Sequence, residues 1–427
     1  MKLPEGYEFG TVETDDELEE LLKFHTIVHP DDDPDELRRQ IDKLPGFGRK
    51  LNFYIRETTK NIIVCALNAI PSTWCYDDVP LRNLELGWVG TLKEHRRKGL
   101  FRSLYTHFEK LLQDGEYDIS TIQGIPYYYR QFGYDFVLPM DRTLWLTVDQ
   151  IPKINEKEPP SFMHLDIREA TSDDIDNLMK LYDEHNRPIQ VYVTRNRDLW
   201  TVQEETKREF GREFQTVVLE NEEGVQGYLR FALNLSTEVE KQGSTMQVIE
   251  SRIRSFGGVR RALQFLRTKA LEQDIYRIGV SGPTTNNLSR LTLDLGGNIR
   301  GSWKHQIRIP NMLQLLRRIQ PVLETRLIGT MFEGLTKDLA LNTFRHCYML
   351  KFVNGRIENI TDLGMQEVDE NRSFCAPPDD LVRLVMGAYS IDEITHNNID
   401  FIVSNGLKSM IRTLFPKRES CIYYYMC

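Results

Sequence analysis

Cysteine is scarce in this sequence, and its cysteines do not show the spacings typical of metal ligands or of a disulfide framework. The cysteines among the 427 residues show no CxxC pair and stand at Cys65, Cys75, Cys347, Cys375, Cys421 and Cys427. Neither a disulfide framework nor a zinc site is therefore indicated.

Long apolar runs are absent as well. No run reaches the roughly 18 residues that a membrane-spanning helix needs. Acidic residues follow the start of the chain, where a secretory signal has its apolar segment. We therefore expect a cytoplasmic protein without a membrane span.

Positive charge is also in short supply. Lys and Arg number 54 against 63 Asp and Glu, a net charge of −9. This balance argues against a protein that binds duplex nucleic acid, which must neutralise phosphates, but it allows a cationic partner. With 40% hydrophobic and 27% charged residues, the composition is that of a globular chain, and its length predicts about three domains.

The pattern along the chain predicts strands and helices in an order that occurs twice. In the first copy, a strand at 84–92 runs through a basic turn into an amphipathic helix at 95–112. A proline- and charge-rich stretch at 151–161 then precedes a segment, 165–298, that repeats the order of strand, capped helix, strand, Gly-containing turn and helix. We infer a diverged internal duplication.

The pattern changes near Pro310. A helix is followed by a hairpin with its turn at 353–355, by helices at 379–394 and 398–415, and by an aromatic tail that we expect to be packed. The predicted domains are 1–150, 151–309 and 310–427.

The segment WVGTLKEHRRKGLFRSL (88–104) is the most informative motif, and its residues 96–101 fit most of the pattern R/Q-x-x-G-x-G/A. A helix N-terminus leaves N–H groups unpaired and carries partial positive charge. Gly99 lets a pyrophosphate approach the backbone, and Arg97, Lys98 and Arg102 add charge. The alternative is an ordinary basic helix start, because basic clusters are usually solvated surface.

This arrangement resembles that of the GNAT acetyltransferases, in which the turn holds the pyrophosphate of acetyl-CoA. With YYYRQFGY (127–134), a second copy and a C-terminal module, the chain resembles the Enhanced intracellular survival (Eis) family of N-acetyltransferases, in which a large residue such as Phe101 replaces the usual small one. The resemblance implies an α+β fold, with two GNAT-type mixed-sheet α/β/α domains in tandem and a sterol-carrier-protein-like domain. It also implies acetyl-CoA as co-substrate, no metal, an aminoglycoside- or polyamine-like amine as acceptor, and a hexamer.

The resemblance also implies roles for individual residues. Backbone groups of Val89, Gly90 and Thr91 would contact the pantetheine arm and the thioester. The pyrophosphate would be surrounded by Arg97, Lys98, Gly99, Leu100, Phe101 and Arg102, and the acyl-CoA bordered by Gly124 and Ile125.

Tyr129 is the implied acid, because the family motif places the acid five residues before its last tyrosine. A phenol with a pKa of about 10 suits protonation of a departing thiolate. Tyr127, Tyr128 and Tyr134 compete for this role, and all four could be structural aromatics.

The implied base is the C-terminal α-carboxylate, here that of Cys427. A free α-carboxyl has a pKa of about 3.3–3.7, a poor match for an ammonium group, so burial or a bridging water must help. The Cys427 thiol is interpreted as a bystander, since no obvious histidine partner flanks it.

The second copy is predicted to be inert. Its turn, RSFGGV (254–259), has fewer basic groups immediately around it, and Thr292 stands where Tyr129 stands in the first copy. We therefore expect one active site per chain.

Two further features have competing interpretations. His25 and His29, four residues apart on a probable helix, could bind a metal, but packing or surface histidines are favoured. The acidic run at 31–36 predicts a solvated, helix-capping loop, although it could attract a polycationic amine.

The resulting hypothesis is an acetyl-CoA-dependent N-acetyltransferase of a cationic small molecule. The alternatives are a protein lysine or N-terminal acetyltransferase, and a non-catalytic protein that binds acyl-CoA or an apolar ligand.

Overall fold

The computed structural model describes residues 3–140, 143–154, 160–209, 212–234, 243–300, 303–368 and 374–422, which form an α+β fold. Its first elements are β1 (Tyr7–Thr11), α1 (Asp15–Val28), α2 (Pro34–Lys43), β2 (Asn52–Glu57), β3 (Ile62–Tyr76), β4 (Val79–Thr91), α3 (Leu100–Asp114), β5 (Ile119–Ile122) and β6 (Asp135–Pro139).

The next elements are β7 (Thr143–Thr147), β8 (Asp166–Glu169), α4 (Ile175–Asn186), β9 (Val191–Val193), α5 (Arg197–Thr206), β10 (Arg208–Glu209), β11 (Arg212–Asn221), β12 (Gly224–Asn234), β13 (Thr245–Ile253), α6 (Phe256–Glu272), β14 (Arg277–Ser281), α7 (Asn287–Asp294) and β15 (Asn298–Arg300). The last are β16 (Lys304–Arg308), α8 (Met312–Arg318), α9 (Gln320–Thr325), β17 (Lys337–Asn342), β18 (Cys347–Val353), β19 (Arg356–Asp362), β20 (Phe374–Cys375), α10 (Pro378–Val385), α11 (Ile391–Asn397), β21 (Ile402–Val403), α12 (Asn405–Leu414) and β22 (Ser420–Cys421).

Two large sheets share one strand order. The first runs β1-β2-β3-β4-β5-β16-β6, and the second runs β8-β11-β12-β13-β14-β7-β15. In each sheet a parallel pair, β4 with β5 and β13 with β14, lies at the same position among antiparallel neighbours. In the first sheet β9 also pairs in parallel with β22. We call the first sheet with α1 to α3 the first unit, and the second sheet with α4 to α7 the second unit.

The two units exchange a strand. β7 follows the first unit in the chain but pairs with β14 and β15 of the second sheet. β16 follows the second unit but lies between β5 and β6 of the first sheet. The predicted segment 1–150 thus contributes a strand to the second sheet, and the predicted segment 151–309 contributes two, β9 and β16, to the first. Local periodicity cannot reveal this exchange, because it does not report which strand pairs with which.

The remaining residues form a third sheet, β19-β18-β17-β20-β21, with α8 to α12 packed around it. Its apolar core is continuous with the first sheet, since Trp74 and Tyr76 of β3 belong to the same buried cluster as Leu350 and Leu384. The helix predicted at 379–394 is wrong in one respect. It is divided into α10 and α11, because Gly387 has a φ of +68° and ends the first helix.

The C-terminal segment returns to the first sheet. β22 pairs with β9, which itself pairs with the end of β3. Glu419 accepts hydrogen bonds from the backbone N–H groups of Thr284 and Thr285, and Ile422 is buried. The predicted aromatic tail, residues 423–427, lies outside the described residues.

Candidate active site

The start of α3 is an uncapped helix N-terminus. Arg97 and Gly99 both have left-handed backbones, with φ of 63° and 78°, which explains why the helix begins at Leu100 and not at the predicted residue 95. Gly99 is the N-cap and offers no side chain to the first turn. The Ser103 N–H bonds to the Gly99 carbonyl, so the N–H groups of the three preceding residues face outward without an intrahelical partner.

Basic side chains surround this helix start and keep their charge available. Arg97, Lys98 and Arg102 are exposed, and within the described ranges none of them forms a salt bridge. Lys98 donates to the Tyr7 hydroxyl at 2.7 Å, and Arg102 donates to the side-chain Oε1 of Gln131 at 3.0 Å. A pocket of about 470 Å³ adjoins them, lined by Leu3, Pro4, Lys98, Gly99, Arg102, Ser103 and Thr106. The site therefore fits a large anion such as a pyrophosphate.

β4 separates from β5 beside this helix start. The two strands pair only from Asn83 to Glu85, so the rest of β4 has an edge that β5 does not cover. The register with β3 also shifts, so that Trp88 and Val89 together stand opposite Leu67 alone. This is a β-bulge. Val89, Gly90 and Thr91 thus lie on the open part of the strand, where backbone groups can contact a ligand.

Gly90 is required by the packing of α1 against the same strand. A Cβ atom there would lie 2.7 Å from Val28 Cγ2 and 3.2 Å from the Phe24 ring. The bulge therefore pairs with β3 along one edge, and α1 packs against its face.

Tyr129 lies in a short 3-10 helix, residues Tyr128–Phe132, and only 6% of it is exposed. Its ring packs edge-on against Phe101, with centroids 6.3 Å apart. A Cβ at Gly124 would come within 2.2 Å of the ring, so Gly124 makes room for it. The structure thus brings Phe101, Gly124 and Tyr129 together.

The other tyrosines of the motif have different surroundings. Tyr127 is 78% exposed and Tyr128 is 39% exposed. The buried Tyr134 hydroxyl is 2.7 Å from Ser120 Oγ. Burial raises the pKa of Tyr129, so its phenol is protonated at neutral pH and has a proton to donate.

Ile125 differs from the buried residues around Tyr129, because its side chain is 64% exposed. The end of β5 is fixed instead by Gln306 of β16, which donates to the Gly124 carbonyl at 2.7 Å. Sequence reasoning missed Gln306, since no motif connects it with residues about 180 positions earlier.

Glu85 is a second residue that sequence reasoning missed. It stands at the last paired position of β4, is 2% exposed, and its Oε2 has no hydrogen-bond partner in the described part of the chain. Burial raises its pKa well above the usual value. A lone acid in the apolar stretch LELGWV was the signal that could have identified it.

The second implied catalytic residue, Cys427, lies outside the described residues. The described chain nevertheless reaches the first sheet at β22, which contacts β6 as well as β9. The segment that carries the C terminus is therefore anchored in the first unit.

The corresponding helix start in the second unit is filled by its own side chains. Ser255 caps α6 by accepting from the Gly258 N–H at 3.0 Å. Arg254 pairs with Glu184, and Arg260 stacks on Phe162 at 4.2 Å. Thr292 is buried in α7 and bonds to the Leu288 carbonyl, so it offers no acid.

The histidines and the acidic run have mixed outcomes. His25 and His29 pack against Trp88, and the described residues contain no cluster of three metal-liganding groups. Asp33 caps α2, as predicted. Glu36 was expected to be solvated, but it is buried, and burial together with Asp32 and Asp33 raises its pKa to about 7.

Comparison with known proteins agrees with this geometry. Residues 12–137 match the model of an acetyltransferase (GNAT) domain, which supports an acyltransferase. No curated protein matches the chain. In the described residues, no helix is long and apolar enough to cross a bilayer.

Solved structures resemble the whole chain in fold. A GCN5-related N-acetyltransferase from Anabaena variabilis has a TM-score of 0.73 at 15% identity, with 98% of this chain and 100% of that chain covered. A probable N-acyltransferase from Enterococcus faecalis has a TM-score of 0.73 at 11% identity, with coverage of 98% and 99%. Eis1 from Mycobacterium abscessus has a TM-score of 0.64 at 13% identity, with coverage of 98% and 100%.

Proposed function

We propose that the protein is an acetyl-CoA-dependent N-acetyltransferase that acetylates a primary amine of a cationic, aminoglycoside- or polyamine-like molecule. The observation that carries this proposal is the uncapped, basic start of α3 beside the open edge of β4. A helix N-terminus binds the pyrophosphate, and the free strand edge holds the pantetheine arm. The net charge of −9 is compatible with a cationic acceptor.

We also propose an Eis-type organisation, with domains at 1–150, 151–309 and 310–427, a sterol-carrier-like last domain and a hexameric assembly. The full-length likeness to Eis1 supports the shared arrangement of elements. The active site belongs to the first unit, because only there does an uncapped basic helix start accompany a buried tyrosine in the described residues.

The reaction is direct transfer. A neutral amine attacks the thioester carbon, and the Val89 N–H stabilises the oxyanion. The C–S bond breaks, the amide remains on the acceptor, and the thiolate takes the proton of the Tyr129 hydroxyl. The attacking nitrogen loses a proton as the amide forms, and that proton restores the Tyr129 hydroxyl, directly or through water. Arg97, Lys98 and Arg102 hold the pyrophosphate throughout.

The proton of the ammonium form must be removed before attack. The C-terminal carboxylate of Cys427 is the proposed acceptor, acting directly or through water. Glu85 is a second candidate for this role. Its buried carboxyl has a raised pKa, which matches an amine better than a free carboxylate does.

The test is release of free CoA thiol from acetyl-CoA with a panel of polyamines, aminoglycosides and lysine peptides. We expect turnover with the small polycations, and loss of turnover when residues are appended to Cys427. Turnover with the peptides alone would favour a protein acetyltransferase. Calorimetric binding of acetyl-CoA without turnover on any amine would contradict the proposed activity.

A further inference from the structure

Trp88 has an unusual backbone for a large side chain. Its φ is 45°, a left-handed conformation that bulky residues rarely adopt, because the Cβ atom crowds the following carbonyl. It also forms half of the β4 bulge and immediately precedes Val89. Such strain persists only where the surrounding structure over-determines it.

A hydrogen bond from α2 holds the Trp88 side chain. The indole Nε1–H donates to Gln40 Oε1 at 3.0 Å, and Gln40 Nε2 donates to Glu36 Oε1 at 3.2 Å. Gln40 is fully buried. Because Gln40 is buried, rotation of the indole would leave Gln40 Oε1 without its donor inside the protein, so this hydrogen-bond chain favours one orientation of the indole.

Two imidazole rings at the C-terminal end of α1 contact the indole. His25 and His29 stack on each other with centroids 5.4 Å apart, and each meets Trp88 edge-on, at 5.4 and 5.9 Å. Burial keeps the pKa of both imidazoles low, and the backbone of Val89 lies close enough to His29 to oppose this effect. The histidines thus pack as neutral rings between α1 and the bulge.

We propose that Gln40, His25 and His29 form a clamp that keeps Trp88 left-handed and thereby aims the Val89 backbone at the acetyl thioester. This inference rests on the proposed acetyl transfer. The three are positioning residues, since they act through Trp88, and the pyrophosphate site at Gly99 does not depend on them.

The test is a double-mutant cycle with Gln40→Leu, Trp88→Phe and the double variant. Each single change removes the same hydrogen bond, so we expect kcat to fall about 10-fold in each, and no further in the double variant. The dissociation constant for acetyl-CoA should stay within about 2-fold, because the pyrophosphate contacts are intact. The matched control Gln264→Leu removes a 2.9 Å hydrogen bond to the Pro152 carbonyl in the second unit and should leave kcat unchanged.

A second readout does not need turnover. The indole N–H resonance of Trp88, identified by its absence in Trp88→Phe, should move upfield in Gln40→Leu and stay in place in Gln264→Leu. Multiplying effects on kcat in the double variant, or an unchanged resonance, would overturn the clamp. Absence of turnover in the wild type would instead contradict the proposed function, while the resonance would still test the clamp.

Discussion

The two units have the same strand order, but the start of α3, which follows β4 in the first unit, differs from the start of α6, which follows β13 in the second unit. In the first unit, α3 begins at Leu100 after the N-cap Gly99, with no capping side chain and with exposed basic groups around it. In the second unit, Ser255 caps α6 and Arg254 is bound to Glu184. An identical topology therefore gives an open, basic helix start in one case and a closed helix end in the other, because one cap residue and its charged neighbours differ.

The two units also differ in the surroundings of a buried glutamate, Glu85 in the first unit and Glu250 in the second. Within the described part of the chain Glu85 forms no salt bridge, and burial raises its pKa well above the usual value. Glu250 of β13 is also fully buried, but Arg195, Arg230 and Arg252 surround it and lower its pKa to about 2. Burial thus shifts the first acid toward its neutral form, whereas the second is a fixed charge that holds its unit together.

The largest expected effect concerns the acid. Tyr129→Phe removes the proton donor without changing the ring packing, so we expect acetyl transfer to fall about 100-fold or more, with binding of acetyl-CoA retained. Thr292→Val at the counterpart in the second unit should leave the rate unchanged. Steady-state kinetics and calorimetry are measured on both variants. Equal losses of acetyl transfer in the two variants would refute a single active site.

The next largest effects are expected from substitutions of the two buried glutamates. Glu250→Gln leaves three buried arginines without their carboxylate and should destabilise the protein by about 3–5 kcal/mol. Glu85→Gln keeps the shape and removes only an ionisable proton site, so the melting temperature should not fall, while kcat/KM at neutral pH should drop about 10-fold or more. If the Glu85→Gln variant has wild-type kinetics, Glu85 is excluded as the proton acceptor and the C-terminal carboxylate of Cys427 remains the candidate.

A smaller effect is expected at the helix starts. Gly99→Val forces a β-branched residue into a φ of 78° and should weaken acetyl-CoA binding about 10-fold, a change of roughly 1.4 kcal/mol. Ser255→Ala removes a helix cap and should cost about 1 kcal/mol of stability, without any change in acetyl-CoA binding. Calorimetric titration and thermal unfolding of both variants distinguish the two roles.

The smallest effect concerns histidines on the first helix of each unit. His25 stays neutral because burial holds its pKa well below 6.5. As the pH falls below about 6.5, only the unfolded chain takes up this proton, so stability falls by up to about 1.4 kcal/mol per pH unit. His25→Phe should remove this loss between pH 6.5 and 5.

His185 on α4 provides the comparison. Its ring nitrogens lie 2.8 and 3.1 Å from the Leu181 and Ile253 carbonyls, which oppose the effect of burial on its pKa. His185→Phe should therefore change the pH dependence less than His25→Phe does. Urea unfolding at a series of pH values measures both, and equal slopes would show that the two carbonyl contacts do not offset the effect of burial on the His185 pKa.

Several features could be read from the sequence because they depend on neighbours along the chain. Thr14 and Glu17 form the capping box expected at the start of α1. Arg97 to Arg102 surround a helix start next to a strand, as predicted. Two tyrosines of the following motif, Tyr129 and Tyr134, are buried, and the Tyr134 hydroxyl is hydrogen-bonded to Ser120. Caps, periodicity and turn residues are local, so a single sequence reports them.

Other features were decided only in three dimensions. The exchange of β7 and β16, the support of Gly124 by Gln306, and the position of Glu85 between β3 and β5 all join residues far apart in the chain. So does the contact of Gln40 with Trp88. The sequence by itself determined that a helix follows the strand near Gly99 and where charge collects. The tertiary structure decided which buried groups find partners, because pairing and desolvation depend on what the folded chain brings into contact.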